Sequence, residues 1–439
     1  MSNSSNSAPP ASSAPPQYLG CTLRWPVERS GRSLRVYVVE PIEIKLATSD
    51  LLFAGILQSF IVPQLTDVGG SVRSASRPPE PFDLMTFPEA FTSPQALITV
   101  LRSVRRLGAI GCVHVGLHSA LDEKSHLFPV DEIRQLLDEI RGIPEIEADD
   151  LREFDAWLSK QKTGDRFNIG CLFAVDARRR VRVCLHPKMV PSQYEYSGFE
   201  EKHMAEGNLL SVVTLEPQDS RYTTINIQPL LCSDVLPLPT NVPMRRPLLG
   251  INVGALTAAS RAPDHIDIVS VATCTPQQSL AKEPGGRQWH EKWRSAFLSA
   301  SEQLQKHRTS IFVLSNYAQF PGGRPGGLSG AYVPRPLGGS APFPHFVFAH
   351  AYQQDPDGQM MWLPVHEEAP SGKHPRNDCY IAALRPSKQM GNSPAQALGF
   401  TITAIVRDLP MLPSDSVLVQ AQLYSSDDKG KLLQERTST

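Results

Sequence analysis

Short runs with the two-residue period of a β-strand punctuate the chain from end to end. LRVYVVEPIEI (from Leu34), FDLMTFPEAF, AIGCVHVGLH, LLSVVTLE, TTINIQPLLCSD, HIDIVSVATC, TSIFVLSNYAQF, FPHFVFAHAYQQ and GFTITAIVRDL are rich in Val, Ile and aromatic residues. FNIGCLFAVDARRRVRVCLHPK reads as two strands joined by a turn at Asp176–Arg179, a hairpin. Helical spacing occurs between these runs. It is found in 49–65, in SPQALITVLRSVRRLG behind a Ser cap, around Asp131–Arg141 and Ala148–Lys160, and in RQWHEKWRSAFLSASEQLQKH. Strand–helix alternation calls for parallel pairing, and hairpins call for antiparallel pairing. A chain with both must build a mixed sheet covered by helices in layers. Polar, Pro-rich stretches at 70–81 and 235–263 interrupt the pattern as loops, and no short repeat is present.

A chain of 439 residues, 41% hydrophobic and 20% charged, can bury one large core or two ordinary ones. The 43 Lys and Arg nearly balance the 44 Asp and Glu, so there is no basic footprint for nucleic acid or an anionic membrane. Arg178–Arg180 and Arg245–Arg246 are short clusters of the kind that usually stay solvated. No run has the ~18 apolar residues a spanning helix needs. The opening residues, MSNSSNSAPPASSAPPQ, lack the charged start and apolar core of a secretory signal and read as a disordered tail. The seven cysteines (Cys21, Cys112, Cys171, Cys184, Cys232, Cys274 and Cys379) are odd in number and scattered, without a CxxC pair. They form neither a disulfide framework nor a zinc site, and a reducing, cytoplasmic setting is expected.

Three reactive side chains stand where strand patterns give way to loops: Glu89, Lys188 and Cys232. Singly, each has an ordinary reading: a surface carboxylate after a proline, a solvated amine, and a cysteine serving as a small core hydrophobe. Together they make a site. A cation lowers a thiol's pKa, so Lys188 is expected to favour the Cys232 thiolate. A carboxylate shielded from water is a competent base near neutral pH, which suits Glu89. Other motifs are weaker. His114 and His118 in VHVGLH lack further ligands at metal spacing. PGGRPGG lacks the Lys-Ser/Thr of a phosphate loop. Trp289 and Trp293 suit core or interface anchors.

At these residues the chain resembles the carbon–nitrogen hydrolase (nitrilase) superfamily, which carries Glu, Lys and Cys in this order in three separated motifs. LMTFPEAF matches the strand ending in Phe-Pro-Glu, VCLHPKMVPSQYE the lysine with a later acidic residue, Glu195, and INIQPLLCSDVLP the strand leading to Cys-x-Asp. Three departures stand out: His186-Pro187 replaces the usual Tyr-Arg before the lysine, the glycine of the third motif is missing, and Leu-Pro-Leu replaces a common Phe-Pro-Glu. Downstream, the strand ending at Asn316 and the GGLSGAYVPRP segment also resemble the family.

The resemblance implies an α-β-β-α sandwich. Residues 1–33 would be a tail, 34–410 one large domain with a Pro-rich insertion near 235–263, and 411–439 a C-terminal extension. It implies a Glu89–Lys188–Cys232 triad supported by Glu195, the Ser233 backbone N–H as oxyanion donor, Asp234 and Asn316. It further implies hydrolysis of an amide or nitrile through a thioester, with no metal or other cofactor, in a homodimer or larger homo-oligomer, acting on a small molecule rather than nucleic acid or membrane. Two other functions compete. The chain could be a nitrilase-fold subunit that senses a ligand or docks in a larger assembly, as nitrilase-like domains do in some bacterial defence proteins. It could also release ammonia for a partner's transfer reaction. The intact Glu89, Lys188 and Cys232 favour an enzyme.

Overall fold

The computed structural model describes residues 19–28, 33–41, 46–61, 83–105, 111–120, 126–192, 195, 203–219, 224–235, 266–275, 311–317, 319–320, 324–325, 329–332, 350–354, 360–364, 397–405, 419–426 and 432–434. The helix expected at 287–307, the loop at 70–81, nearly all of the 235–263 insertion and Cys379 lie outside them.

Two mixed sheets face one another. The first has the strand order Leu19–Val27, Leu209–Pro217, Ile225–Leu231, Ile268–Ala272, Ile311–Ser315, Gly330–Tyr332. Its three central neighbours, Ile225–Leu231, Ile268–Ala272 and Ile311–Ser315, run parallel. The second runs Leu432–Gln434, Val419–Ser426, Ala397–Ile405, Ser33–Pro41, Leu84–Thr86, Cys112–Gly116, Ile169–Val175, Val181–Pro187. Here Ser33–Pro41, Leu84–Thr86 and Cys112–Gly116 are parallel, and the hairpin pairs antiparallel beside them. The hairpin turn falls where the sequence put it. Asp176 N donates to Arg180 O at 2.9 Å, and Arg179 takes φ 62°.

The strand period decides which side chains meet between the sheets. Ser270 projects from the first sheet to bond Thr86 Oγ1 at 2.9 Å and His114 Nδ1 at 2.8 Å on the second. His114 Nε2 lies 3.1 Å from His186 Nε2. His114 therefore pairs across its own sheet and does not act with His118. Both rings are buried, and loss of water pushes both pKa values down, that of His186 to about 3. The alternate residues face outward. Phe173 points away from the first sheet and meets Phe53 of helix Leu46–Ile61 edge-on, centroids 6.4 Å apart. Helices Pro94–Val104, Val130–Arg141 and Arg152–Leu158 add buried apolar faces to the same core. Ser93 caps Pro94–Val104, accepting from Ala96 N at 3.2 Å. The described layers are thus sheet, sheet and helix, the arrangement expected of three layers of an α-β-β-α sandwich.

Order begins earlier than Leu34. Leu19–Val27 is the edge strand of the first sheet, parallel to Leu209–Pro217. It buries Cys21, Leu23 and Trp25 on one face, with the Arg182 guanidinium 5.9 Å from the Trp25 ring. That alternation is readable in LGCTLRWPV; the Ser/Pro-rich residues before it obscured it. At the other end, Val419–Ser426 and Leu432–Gln434 extend the second sheet through Ala397–Ile405. Residues of the supposed C-terminal extension therefore belong to that sheet.

Candidate active site

Glu89 stands where the two sheets meet. The strand Leu84–Thr86 ends in Phe-Pro-Glu, and Phe87 and Phe91 stack on each other 5.2 Å apart beneath the turn. Both rings are fully buried, so the turn is pinned on both sides of the carboxylate. Its backbone is held from three directions: Pro88 O accepts from Gly116 N at 3.0 Å, Glu89 N donates to Thr273 O at 3.2 Å, and Tyr317 Oη donates to Ala90 O at 3.1 Å. Gly116 is required by space, because a Cβ there would lie 2.4 Å from the Glu89 Cα. Ala90 turns the chain with φ 53°, a conformation that costs a non-glycine residue about 1–3 kcal/mol.

Lys188 follows the hairpin's second strand and is 1% exposed. Its Nζ donates at 2.7 Å to Glu89 Oε1 and at 2.7 Å to Glu195 Oε2. Asn168 ties the same carboxylates together, its Nδ2 donating to Glu89 Oε1 at 2.7 Å and Glu195 Oε1 at 3.1 Å. Glu195 also accepts from Ser192 N at 2.8 Å. One buried ammonium thus serves two buried carboxylates. Burial pulls the lysine pKa down, but Glu195 and Glu89 outweigh it and hold it well above the ordinary value. Burial pushes Glu195 up, yet Lys188 and the other donors leave it below the usual range. Glu89 ends above that range, because burial and the Glu195 charge exceed the pull of Lys188. The two carboxylates are therefore split into an anionic anchor for the lysine and a group poised to take up a proton.

Cys232 ends the strand Ile225–Leu231 and opens a one-turn 3₁₀ segment, Cys232–Val235. Its φ is 40°, a left-handed conformation at a buried residue. Asp234 accounts for it. Oδ1 accepts from Met189 N and Val190 N, each at 2.9 Å, and Oδ2 from Leu231 N at 3.1 Å. Ser233 Oγ donates to Val190 O. The cysteine loop and the lysine loop are thereby riveted together by Asp234. Asn316 grips the next loop: its Oδ1 accepts from Thr275 N at 3.1 Å, and its Nδ2 donates to Thr275 O at 2.9 Å. Thr275 Oγ1 lies 2.9 Å from Cys232 Sγ.

Lys188 favours the Cys232 thiolate, as expected, but does not outweigh burial. Burial, with the negative charge of Glu89, pushes the thiol up to about 12, against the pull of Lys188 and the Thr275 hydroxyl. The sulfur rests protonated.

All the sequence-predicted residues therefore gather at one end of the paired sheets, and the Ser233 side chain bonds Val190 O. Sequence reasoning missed Asn168, Thr275 and Tyr317. Nothing in FNIGC, VATCTP or LSNYAQF distinguishes them from ordinary polar strand-end residues. Gly116 did carry a signal, since a glycine at a strand end often marks close backbone approach. Among the described residues no group of three or more His, Cys, Asp or Glu could hold a metal, and no helix is long and apolar enough to cross a membrane.

In fold the chain is similar to carbon–nitrogen hydrolases. A carbon–nitrogen hydrolase from Helicobacter pylori G27 matches over 76% of this chain and 89% of its own, at 8% identity and a TM-score of 0.37. An N-terminal amidase matches over 60% of this chain at 11% identity and a TM-score of 0.29, and the match spans 53% of the amidase. The same kind of enzyme with an Asn-Glu-Ala peptide gives 10% identity and a TM-score of 0.30. The chain matches no family model and no curated protein. At those values the functional reading is carried by the site's own geometry.

Proposed function

We propose that the chain is a nitrilase-type hydrolase that cleaves a carbon–nitrogen bond in a small-molecule amide or nitrile. The observation that carries this reading is the buried Lys188 held between Glu89 and Glu195, with Cys232 on the adjoining loop that Asp234 fastens to the backbone just after Lys188. Burying one ammonium and two carboxylates is costly, and a scaffold gains nothing from setting that cluster beside a thiol.

For an amide the steps follow from the proton inventory. Glu89 accepts the Cys232 proton as the sulfur attacks the carbonyl carbon, forming the C–S bond. Charge moves to the carbonyl oxygen, which takes a hydrogen bond from Lys188 and one from the Ser233 backbone N–H. Two of the three lysine protons are committed to Glu89 and Glu195, which aims the third at the substrate. Glu89 returns its proton to the nitrogen as the C–N bond breaks, and an amine or ammonia leaves. Water then gives a proton to Glu89 and its oxygen to the thioester carbon. The carboxylate leaves and the thiol is restored. Glu195 keeps Lys188 charged throughout. No step draws on a metal or organic cofactor.

Ammonia release from a panel of primary amides and nitriles, with mass spectrometry of the quenched enzyme, tests the proposal. Wild type should release ammonia and show an acyl adduct on the Cys232 peptide, and Cys232→Ala should do neither. Release that survives Cys232→Ala, or none from wild type, rejects the reading and favours a ligand-binding or docking subunit.

A further inference from the structure

Thr275 touches the sulfur and has no place in the steps above. It stands three residues beyond the strand Ile268–Ala272, half-buried, with its hydroxyl 2.9 Å from Cys232 Sγ. Either atom can donate while the thiol keeps its proton; once Glu89 has taken that proton, as proposed above, the sulfur can only accept and the Thr275 hydroxyl is the donor.

Its placement is built rather than incidental. The ladder between Ile268–Ala272 and Ile311–Ser315 ends at Ala272 opposite Ser315, and Thr273 N still reaches Ser315 O at 2.8 Å. Beyond that the Asn316 side chain continues the ladder, taking both backbone groups of Thr275. Asn316 is itself anchored, its N donating to Ser329 Oγ at 3.0 Å. A β-branched side chain on a clamped backbone has few rotamers, so the hydroxyl is held with little entropy left to lose.

We propose that Thr275, set by the two-point clamp of Asn316, is a positioning residue that donates its hydroxyl to the Cys232 sulfur and steadies the thiolate once Glu89 has taken the proton. This rests on the nucleophilic reading of Cys232. The proton of Thr275 stays on its oxygen throughout; only the sulfur's charge changes. A hydrogen bond to an anionic acceptor is stronger than one to a neutral thiol, so the contact gains strength as the thiolate forms.

The test is the pH–rate profile of Cys232 alkylation by iodoacetamide, followed on the Cys232 peptide by mass spectrometry. This readout needs no substrate. Thr275→Val keeps the shape and removes the donor. It should raise the apparent thiol pKa by about one unit, a roughly tenfold drop in thiolate below that pKa. The more basic thiolate is about threefold more nucleophilic, so alkylation near neutral pH should slow about three- to fourfold. Thr275→Ser should restore the wild-type profile. Thr275→Ala is the second donor-less variant should Val fail to fold, as judged by its melting curve. A wild-type profile in the donor-less variant, or a Ser variant as slow as Val, overturns the proposal. Turnover separates the two readings. A shifted profile in a protein that cleaves no amide or nitrile leaves this inference standing and removes the hydrolase. Cys232-dependent turnover with an unmoved profile does the reverse.

Discussion

Replacing Lys188 with methionine removes the one cation from between two buried carboxylates, and the size of the consequence can be worked from the structure. Glu89, Glu195 and Lys188 are 4%, 6% and 1% exposed, so water cannot take over from the ammonium. Without it, the strongest influence lowering the Glu89 pKa is gone, and Glu89 is already above its ordinary 4.5. The native variant then holds Glu89 protonated while the unfolded chain ionises it. Each pH unit above 4.5 costs the fold about 1.36 kcal/mol, or about 3.4 kcal/mol at pH 7. That agrees with the roughly 3–5 kcal/mol typical of breaking a buried pair by removing one partner. The sign follows from proton counts. The native variant binds one proton more than its unfolded state, so its stability falls as pH rises; in the wild type Lys188 confines that fall to the span between 4.5 and a Glu89 pKa lower than the variant's. Urea denaturation of both proteins at several values between about pH 5 and 8 measures this. From this term the stability difference should open once the pH exceeds the wild-type Glu89 pKa, itself above 4.5, and then grow by about 1.4 kcal/mol per pH unit. A difference independent of pH refutes the reasoning. It would mean that both carboxylates stay ionised without the ammonium, held by Asn168 and Ser192 N alone.

Three further outcomes follow from other parts of the same framework. His186 is buried with its pKa depressed to about 3, so the fold loses stability as pH drops below the ordinary histidine value of 6.5, by about 2 kcal/mol near pH 5. His186→Gln should flatten the urea-measured acid limb by about that amount, and an unchanged limb contradicts the assignment. Gly116→Ala should cost more than about 1 kcal/mol by thermal melting and reduce Cys232-dependent turnover, because its Cβ would lie 2.4 Å from the Glu89 Cα. Gly164→Ala, where no atom lies within 4 Å, should do neither, and equal effects at both sites would discount the close packing at Glu89. Asp234→Asn puts an N–H donor against one of the three backbone N–H groups the carboxylate now accepts. It should destabilise by about 1–3 kcal/mol, and a melting curve like the wild type's would show that Asp234 does not rivet the loops.

Strand period, hairpin turn and helix caps were legible because they are local. Val181–Pro187 alternates whatever lies around it, and Asp176–Arg179 turns on its own side-chain bonds. Glu89, Lys188, Cys232 and Glu195 could be singled out from the chain, since each reactive side chain sits at a motif. The edge strand Leu19–Val27 was equally local and was overlooked beside the Ser/Pro-rich residues. The tertiary structure decided what those residues are to one another. A two-residue period says that His114, Ser270 and His186 share the space between the sheets, but not that they bond in a chain. Lys188 reaches Glu89 across 99 positions of sequence, and Cys232 reaches Thr275 across 43. The charge state of the sulfur is likewise a property of the assembled site. Lys188 alone argues for a thiolate, whereas water exclusion and the facing Glu89 keep the proton on Cys232. Electrostatic balance depends on distances and on how much water is removed, and no sequence spacing contains either.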